Sequence, residues 1–328
     1  MVTPEISVIV PTYNRAPILG RTLRALCEGQ VGDLPGWEVI VVNDGSTDET
    51  ASLLDTLQDR YGGRFLALHQ GNRKQGAARN TGMARAKGSL FVFLGDDILP
   101  DPKFLASHWL RYEASGRSRR YAAIGRTFWH PEIKQTPFRE WINEWGSQFG
   151  FRLIEDPENV PFNFFYTSNL AFSRDLYADF GGFNESFREY GWEDIELGYR
   201  YAQRGAMRLR FVPTAIAYHD HNLSLTAFCR RQFRVGYSAL LFHKLYPELR
   251  NFLGIGKCAA KPTIPSPLLE LTAKILEYVD ERIGLDVNMI TRFILHQYYC
   301  LGLLAARKSI DIQTKETMEG SSSVLNPH

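Results

Sequence analysis

Residues 91–100, FVFLGDDILP, place four apolar residues directly before two adjacent carboxylates and end at a proline. The apolar run is typical of a buried strand, and proline is disfavoured inside a central strand because it has no N–H to donate. Two neighbouring carboxylates at the end of such a strand are unfavourable unless a cation or hydrogen-bond donors compensate their charge. The stretch therefore predicts a strand that ends at a ligand-binding edge, with Asp96 and Asp97 as binding residues.

The first hundred residues repeat this pattern of short apolar runs separated by helical segments. Strands that alternate with helices form right-handed βαβ units, which build an α/β fold with a mostly parallel sheet and helices on both faces. Ligands bind such sheets beyond the carboxyl ends of the strands, so the turns PTYNR, NDGS and GDD are expected at one edge. The other apolar runs are residues 6–10, 38–42 and 65–69, and helical spacing covers 18–26, 53–57 and 77–86.

The remainder of the chain is less regular. Residues 121–165 are rich in Trp, Phe and Pro and are predicted to form a structured but irregular insertion. A proline-containing linker, with Pro262, Pro265 and Pro267, precedes the last two helices. Further strands are expected within 165–173 and 209–212, and helices over 193–205, from 223 onward, over 268–283 and over 289–308.

Composition limits the partners and the compartment. The 328 residues include 38 basic and 36 acidic ones, and a net charge of +2 gives no field that favours nucleic acid. No basic leader and no apolar run of about 18 residues is present, so we predict a cytoplasmic protein and leave peripheral contact with the inner membrane face open. The cysteines are scattered without a CxxC spacing and are predicted to be reduced thiols, not a zinc site or disulfide framework. They are Cys27, Cys229, Cys258 and Cys300.

Each polar segment at the predicted edge has a structural and a functional interpretation. Asp44, in VVNDGSTDET, is either a turn residue or an acceptor for a ligand such as a nucleobase. Gly76 and Arg79, in NRKQGAARNTG, suit a helix N-terminus that approaches an anion, or a solvated basic helix start. The GDD carboxylates suit Mg²⁺ or Mn²⁺ together with water and diphosphate oxygens, or an acidic turn that caps the next helix.

Two later residues carry a similar choice. Asp194 lies in the first turn of a predicted helix, where acidic residues stabilise the macrodipole, but a desolvated carboxylate close to Trp192 also suits a general base. A single histidine is more often structural than catalytic, yet His219, in AYHDHN, would complete a metal shell begun by Asp97.

Taken together and in this order, these segments resemble the family-2 glycosyltransferases of the GT-A fold. The resemblance covers roughly residues 4–225 and implies a Rossmann-like, mostly parallel sheet followed by a C-terminal helical extension. The matching segments are SVIVPTYNR (7–15), VIVVNDGSTDET (39–50), GAARNTGMARAKGSLFVFLGDDILPDP (76–102), TSNLAFSRDLYADFGGFNESF (167–187) and GWEDIELGYR (191–200).

The resemblance implies a role for each candidate residue. Asp97, in the place of the family's DxD motif, would bind a divalent metal, Mn²⁺ or Mg²⁺, with His219 as a further ligand. Asp194 would be the catalytic base that deprotonates an acceptor hydroxyl. Gly95 departs from the pattern, because many members carry a carboxylate there. The nucleotide sugar would contact Pro11, Thr12, Tyr13, Arg15, Asp44, Arg79 and Asp96.

The function implied is inverting transfer of one sugar from a nucleotide-sugar donor to a hydroxyl of a glycan or lipid-linked acceptor, in cell-surface polysaccharide or glycolipid synthesis. The domains expected are a glycosyltransferase domain, a helical region and a disordered tail. Their bounds are 1–225 (1–115 for the nucleotide, 116–225 for the acceptor), 226–312 and 313–328.

Two other functions are weighed against this one. A nucleotidyltransferase that makes sugar nucleotides would need a Gly-rich phosphate loop after the first strand, and PTYNRAPILG does not supply one. A non-catalytic binding or scaffold protein of the same fold would be expected to lack Asp97 or Asp194. For the acceptor, the Trp- and Phe-rich insertion and the basic cluster of Arg230, Arg231 and Arg234 are candidate surfaces, although core packing and a plain basic face explain them as well.

Overall fold

A computed structural model describes residues 3–146, 148–205, 207–258 and 264–322, with the backbone alone beyond residue 309. The strands are β1 (Ile6–Thr12), β2 (Trp37–Asp44), β3 (Phe65–Gln70), β4 (Leu90–Leu94), β5 (Ile98–Pro100), β6 (Tyr121–Trp129), β7 (Asn169–Ser173) and β8 (Arg208–His219). The α-helices are α1 (Ala16–Gly29), α2 (Thr50–Tyr61), α3 (Lys74–Arg85), α4 (Phe104–Ala114), α5 (Pro137–Glu144), α6 (Arg174–Phe180), α7 (Glu193–Gly205), α8 (Leu225–Leu245), α9 (Ser266–Tyr278) and α10 (Asn288–Ser322).

The strands form one sheet in the order β3-β2-β1-β4-β7-β6-β8-β5. Strands β1 to β4 pair in parallel, as do β6 and β8, whereas β7 runs antiparallel to both β4 and β6. The central strand β1 sends Val8 into a core with α1, α2 and α4, and Ile9 into a second core with α3, α6 and α7. This two-sided burial confirms the predicted α/β class with a mostly parallel sheet.

The structure corrects the prediction for residues 121–165. Strand β6 occupies the start of that region and pairs with β7 and β8 inside the sheet. Its sequence, YAAIGRTFW, has two alanines and is interrupted by Gly125 and Arg126, so it lacks the continuous apolar run that marks the other buried strands. Strand β5 is a further addition, and Pro100 is tolerated there because β5 is the edge strand.

The chain divides into two compact units. The sheet unit comprises residues 1–135, 139–188 and 193–222, and the helical unit comprises 136–138, 189–192 and the chain from Leu223 onward. In the helical unit α8 and α10 approach each other closely at Gly302. A Cβ added there would lie 1.8 Å from the Phe233 carbonyl oxygen, so only glycine fits. No helix in the described ranges is long and apolar enough to cross a membrane.

The prediction of four reduced cysteines is wrong for two of them. Cys258 and Cys300 form a disulfide, whereas Cys27 and Cys229 are free and buried. The two partners are 42 residues apart and meet only when α10 folds back, which no local spacing indicates. Helix α10 continues to Ser322, past residue 312 where the helical region was expected to end. The remainder of the predicted tail, 323–328, and the part of the proline linker at 259–263 lie outside the described residues.

Candidate active site

The two carboxylates of GDD lie in a tight turn at the end of β4. The Ile98 N–H donates to the Gly95 carbonyl at 3.2 Å, which leaves Asp96 and Asp97 as the two central residues of the turn. Strand β5 then pairs with β8 so that Ile98 lies opposite His219. The Asp220 N–H donates to the Asp97 carbonyl at 2.8 Å and closes this corner. The sheet register therefore brings His219 to Asp97 across 122 residues of sequence.

Asp97 is held by two cationic or potentially cationic side chains. The Arg15 guanidinium donates to its Oδ2 at 2.6 Å, and the His219 Nε2 lies 3.4 Å from the same oxygen. Burial acts to raise the pKa of Asp97, but His219, Arg15 and His221 together outweigh it and hold that pKa below its usual range. His219 is buried and stacks on Trp129, and its Nδ1 has no hydrogen-bond partner among the described residues. The structure therefore brings together the pair that the sequence linked to a metal.

Asp96 has a different environment. The Thr12 hydroxyl donates to its Oδ2 at 2.9 Å, and the Arg15 Nε lies 4.0 Å from its Oδ1. Burial and the neighbouring Asp97 carboxylate raise the pKa of Asp96 to about 7, against the opposing effects of Arg15 and Thr12. The pKa of Asp96 is therefore raised and that of Asp97 lowered, so Asp97 keeps its charge more readily than its neighbour.

Gly95 has a steric reason to be a glycine. A Cβ at this position would lie 2.8 Å from the Ile98 Cγ1 and 3.1 Å from the Asp97 Oδ1. The tight turn folds Ile98 back over Gly95, so there is no room for a side chain. The departure of GDD from DxD follows from this turn, which the sequence alone does not reveal.

The ends of β1 and β2 lie on the same edge of the sheet. Thr12 pairs with Asn43 in the parallel register, which sets Tyr13, the residue after β1, beside Asp44, the last residue of β2. Tyr13 is 48% exposed, whereas Asp44 is buried. The Asp44 carboxylate accepts hydrogen bonds from the Gln70 side chain at 2.7 Å and from the Arg73 and Lys74 N–H groups at 2.8 Å each. It therefore fixes the start of α3, and its contact with a nucleobase stays a prediction.

Asp194 lies at the start of α7. Its Oδ1 accepts from the Ile195 N–H at 2.8 Å, and its Oδ2 lies 3.4 Å from the Thr167 N–H. Burial and the neighbouring Glu193 carboxylate raise the pKa of Asp194 to about 7, and Arg79 opposes them. Trp192, which we expected to desolvate this carboxylate, packs against Phe242 in the helical unit. Its effect on Asp194 stays a prediction.

Asp194 and the GDD turn share one edge of the sheet. Strand β7 pairs antiparallel with β4, with Leu94 opposite Asn169, so Thr167 and Ser168 lie beside the end of β4. The Gly95 N–H points at the Ser168 carbonyl at 3.4 Å, one residue from the Thr167 that faces Asp194. The base candidate and the metal candidate are therefore placed by adjacent strands.

A buried ion pair beside Asp194 escaped the sequence prediction. Arg79 donates to the Glu193 Oε1 at 3.1 Å, and both side chains are less than a tenth exposed. Within the part of the chain that the structure describes, the Arg79 Nε and the Glu193 Oε2 have no hydrogen-bond partner. From the sequence, Glu193 is explained by the helix macrodipole alone. Arg79, its partner in the structure, is 114 residues away along the chain. Only the fold shows that Arg79 contributes a positive charge next to the candidate base.

Taken together, the edge presents an ionised carboxylate, an imidazole, a carboxylate with a raised pKa and a buried guanidinium beyond the ends of a mostly parallel sheet. Ligands bind α/β sheets beyond the carboxyl ends of the strands, and perturbed ionisable groups gathered there mark a candidate active site.

Comparison with known proteins gives the family. Residues 7–181 match the family model described as "Glycosyl transferase family 2", and the chain belongs to that family. The membership confirms the predicted family and class of enzyme.

Curated relatives match about two thirds of the chain. The validoxylamine A glucosyltransferase of Streptomyces hygroscopicus subsp. jinggangensis (strain 5008) is 30% identical over 223 residues, 62% of this chain and 52% of that protein. The chondroitin synthase of Escherichia coli is 27% identical over 67% of this chain and 35% of its own length. The chain spans about half the length, or less, of these curated relatives.

Solved structures share the fold at low identity. The mannosyltransferase PcManGT from Pyrobaculum calidifontis, in complex with GDP-Man and Mn²⁺, has a TM-score of 0.58 at 20% identity and covers 93% of this chain and 88% of its own. S. aureus TarS 1-349 in complex with UDP has a TM-score of 0.54 at 15% identity, over 93% of this chain and 92% of that one. Both confirm the predicted GT-A fold.

Proposed function

We propose that the protein is a metal-dependent, inverting glycosyltransferase that moves one sugar from a nucleotide-sugar donor to a hydroxyl of a glycan or lipid-linked acceptor. The observation that carries the proposal is that Asp97, beside Arg15 and His219, and Asp194, beside Thr167, are placed at one sheet edge by the adjacent strands β4 and β7. The GDP-Man and UDP in the two structural neighbours support a nucleotide sugar as the donor. The glucosyltransferase and synthase relatives support a glycan or glycoside product, and hence a role in cell-surface polysaccharide or glycolipid synthesis.

The donor set at Asp97 fits a divalent cation. A carboxylate oxygen and an imidazole nitrogen 3.4 Å apart are of the spacing that two neighbouring ligands of one small cation require. Carboxylate and imidazole together accept Mn²⁺ or Mg²⁺, and the Mn²⁺ in the mannosyltransferase neighbour supports this class of metal. When bound, such an ion neutralises the diphosphate of the leaving nucleotide. The ligands would be Asp97 and His219.

The protein's own residues supply the other parts of the reaction. Asp194 accepts the proton of the acceptor hydroxyl as the hydroxyl oxygen attacks the anomeric carbon. The bond to the diphosphate breaks on the opposite face, and this single displacement inverts the anomeric configuration. Arg15 and Thr12 hold the GDD turn in place, and we assign Asp96 to the ribose or sugar. Pro11 and Asp44 at the ends of β1 and β2, Tyr13 after β1, and Arg79 on α3 would contact the nucleotide.

A donor screen with a base variant tests the proposal. The protein is incubated with Mn²⁺ and a panel of UDP-, GDP- and dTDP-sugars, and nucleotide release is measured with and without oligosaccharide or lipid-linked acceptors. We expect release from at least one donor, and a fall of about 10²–10⁴-fold in Asp194→Asn because general-base catalysis contributes that much. Binding of the nucleotide with Mn²⁺, measured by calorimetry, should be unchanged in this variant.

The matched control is Asp59→Asn, which neutralises an exposed carboxylate on α2. It should retain full activity. No release from any donor would overturn the enzymatic function, and full turnover in Asp194→Asn would overturn the assignment of the base. Products with the donor's own anomeric configuration would overturn inversion.

A further inference from the structure

Two cysteines and a histidine of the helical unit bring their side-chain donor atoms together. Cys258 lies in the segment after α8, and His296 and Cys300 lie one helical turn apart on α10. The His296 Nε2 lies 3.9 Å from the Cys258 Sγ and 3.7 Å from the Cys300 Sγ. The three donor atoms all lie within 4.8 Å of one another. We name these three residues the Cys–His cluster.

The spacing within the Cys–His cluster is that of zinc ligands. Zn²⁺ binds Cys sulfur at about 2.3 Å and His nitrogen at about 2.0–2.1 Å in tetrahedral geometry, which places neighbouring sulfur and nitrogen ligands about 3.6 Å apart. The two observed nitrogen–sulfur distances, 3.7 and 3.9 Å, are close to that value. Thiolate and imidazole ligands select Zn²⁺ over Mg²⁺. The Cys–His cluster therefore suits a different class of metal from the carboxylate edge of the sheet.

The disulfide and the metal are alternative states of the same two cysteines, because the thiolate is the form that binds a metal. A reductant breaks the sulfur–sulfur bond with two electrons and two protons. It is a dithiol, which becomes a disulfide, or a phosphine, which becomes a phosphine oxide with the oxygen of a water molecule. Tetrahedral ligation then needs the sulfurs about 3.8 Å apart. With the Cα atoms 5.1 Å apart, rotation about the Cα–Cβ bonds reaches this separation without a shift of the backbone.

Contacts other than the disulfide hold the Cys258 segment against α10. The Tyr299 hydroxyl donates to the Leu253 carbonyl at 2.6 Å. Leu253 and Ile255 are buried, and the Cys258 N–H donates to the Gly254 carbonyl at 3.3 Å. None of these contacts involves a sulfur atom, so reduction leaves them in place. The reduced cluster is therefore arranged in advance for a metal.

Burial of the cluster is one-sided. Cys258 and Cys300 are 1% and 4% exposed, whereas His296 is exposed. A metal ion can therefore enter from the side of the imidazole, and water can take the fourth ligand position there. We propose that the reduced Cys–His cluster binds Zn²⁺ through the two thiolates and the His296 Nε2. Binding transfers the two thiol protons to solvent. This inference does not depend on the proposed catalytic activity.

Cobalt substitution tests the proposal, because Co²⁺ bound by thiolates shows a sulfur-to-cobalt charge-transfer band that oxygen and nitrogen ligands do not give. The whole protein is reduced with a phosphine, freed of metal and titrated with Co²⁺ without air. We expect the band to saturate at one Co²⁺ per chain, and Zn²⁺ to abolish it. The oxidised protein should give no band. Zn²⁺ should also raise the melting temperature of the reduced protein, because it binds the folded state.

Variants identify the ligands. His296→Ala should weaken Co²⁺ binding about tenfold or more, because even outer-shell partners of a metal contribute about 10–100-fold. It keeps both cysteines, so its oxidised form should melt like the wild type, as expected for an exposed position. The control His69→Ala removes an exposed imidazole of β3 and should bind Co²⁺ like the wild type.

Three outcomes would overturn the zinc site. They are no charge-transfer band in a reduced protein that is folded by circular dichroism, unchanged Co²⁺ affinity in His296→Ala, and the same band in C258S/C300S. The last variant keeps Cys27 and Cys229, so a band there would assign Co²⁺ to those thiols.

Discussion

Gly95 provides a sharp test of the geometry of the carboxylate turn. In Gly95→Ala the new Cβ would lie 2.8 Å from the Ile98 Cγ1 and 3.1 Å from the Asp97 Oδ1. Ile98 is only 1% exposed and cannot move outward without disturbing the core. Inserting one methyl group into a packed core costs about 1–3 kcal/mol. For a unit of this size each kcal/mol corresponds to roughly 2–4 °C in melting temperature. We therefore expect Gly95→Ala to melt about 2–12 °C below the wild type.

The same geometry predicts that restoring a DxD motif improves neither stability nor Mn²⁺ binding. Gly95→Asp adds the same Cβ and a third carboxylate beside Asp96 and Asp97, so it should be less stable than Gly95→Ala and bind Mn²⁺ no more tightly than the wild type. Melting curves and calorimetric titration with Mn²⁺ measure both effects.

A double-mutant cycle that combines Gly95→Ala with Ile98→Ala isolates the contact between the two side chains. Removing the Ile98 side chain relieves the closer of the two clashes, so Gly95→Ala should cost about 1 kcal/mol less in that background. Additive effects, or a Gly95→Asp protein with wild-type stability and tighter Mn²⁺ binding, would refute the steric explanation.

Two further predictions concern the base and the disulfide. Because burial and Glu193 raise the pKa of Asp194 to about 7, donor turnover should fall about tenfold per pH unit below pH 7 as the base becomes protonated. Glu193→Gln removes a like charge and should move this acidic limb of the pH–rate profile to lower pH. A limb that does not move would contradict the assignment of Asp194 as the base. The Cys258–Cys300 bond closes a loop of 42 residues, so C258S/C300S should lose about 3–4 kcal/mol of stability in the helical unit, and reductant should lower the melting temperature of the wild type but not of this variant.

The strands of the sheet were predictable where the local sequence shows both an apolar run and the polar turn that follows it. Strands β1 to β4 each consist of a short apolar run followed directly by polar turn residues, and all four were predicted within two residues of their bounds. Strand β6 was not, because Gly125 and Arg126 interrupt its apolar run and alanines take the place of β-branched residues. Helix α7 was predicted with its observed bounds, because it has an acidic first turn, an amphipathic pattern and a terminal glycine.

The site was predictable in its residue types and in one pairing, that of Asp97 with His219, but the pairing of Arg79 with Glu193 was not predicted. Carboxylates after a strand indicate a ligand-binding edge, and the order of the motifs indicates the family. The contacts between Asp97 and His219 and between Arg79 and Glu193 join residues more than a hundred positions apart. No local pattern encodes them, because they arise from strand order and helix packing.

The carboxylates of the edge differ in charge state because of what surrounds them. Asp96, Asp97 and Asp194 are all desolvated, which alone would raise every pKa. Asp97 escapes this effect because Arg15 and His219 lie within 3.4 Å of one of its oxygens, so it keeps the charge that a cation site requires. Asp194 has a carboxylate as its sequence neighbour and a guanidinium, Arg79, already paired with that neighbour. Its pKa near 7 is the range in which a base both accepts a proton and releases it. The placement of His219 and Arg15 beside Asp97, and of Glu193 beside Asp194, therefore distinguishes the residue proposed for the metal from the residue proposed for the proton.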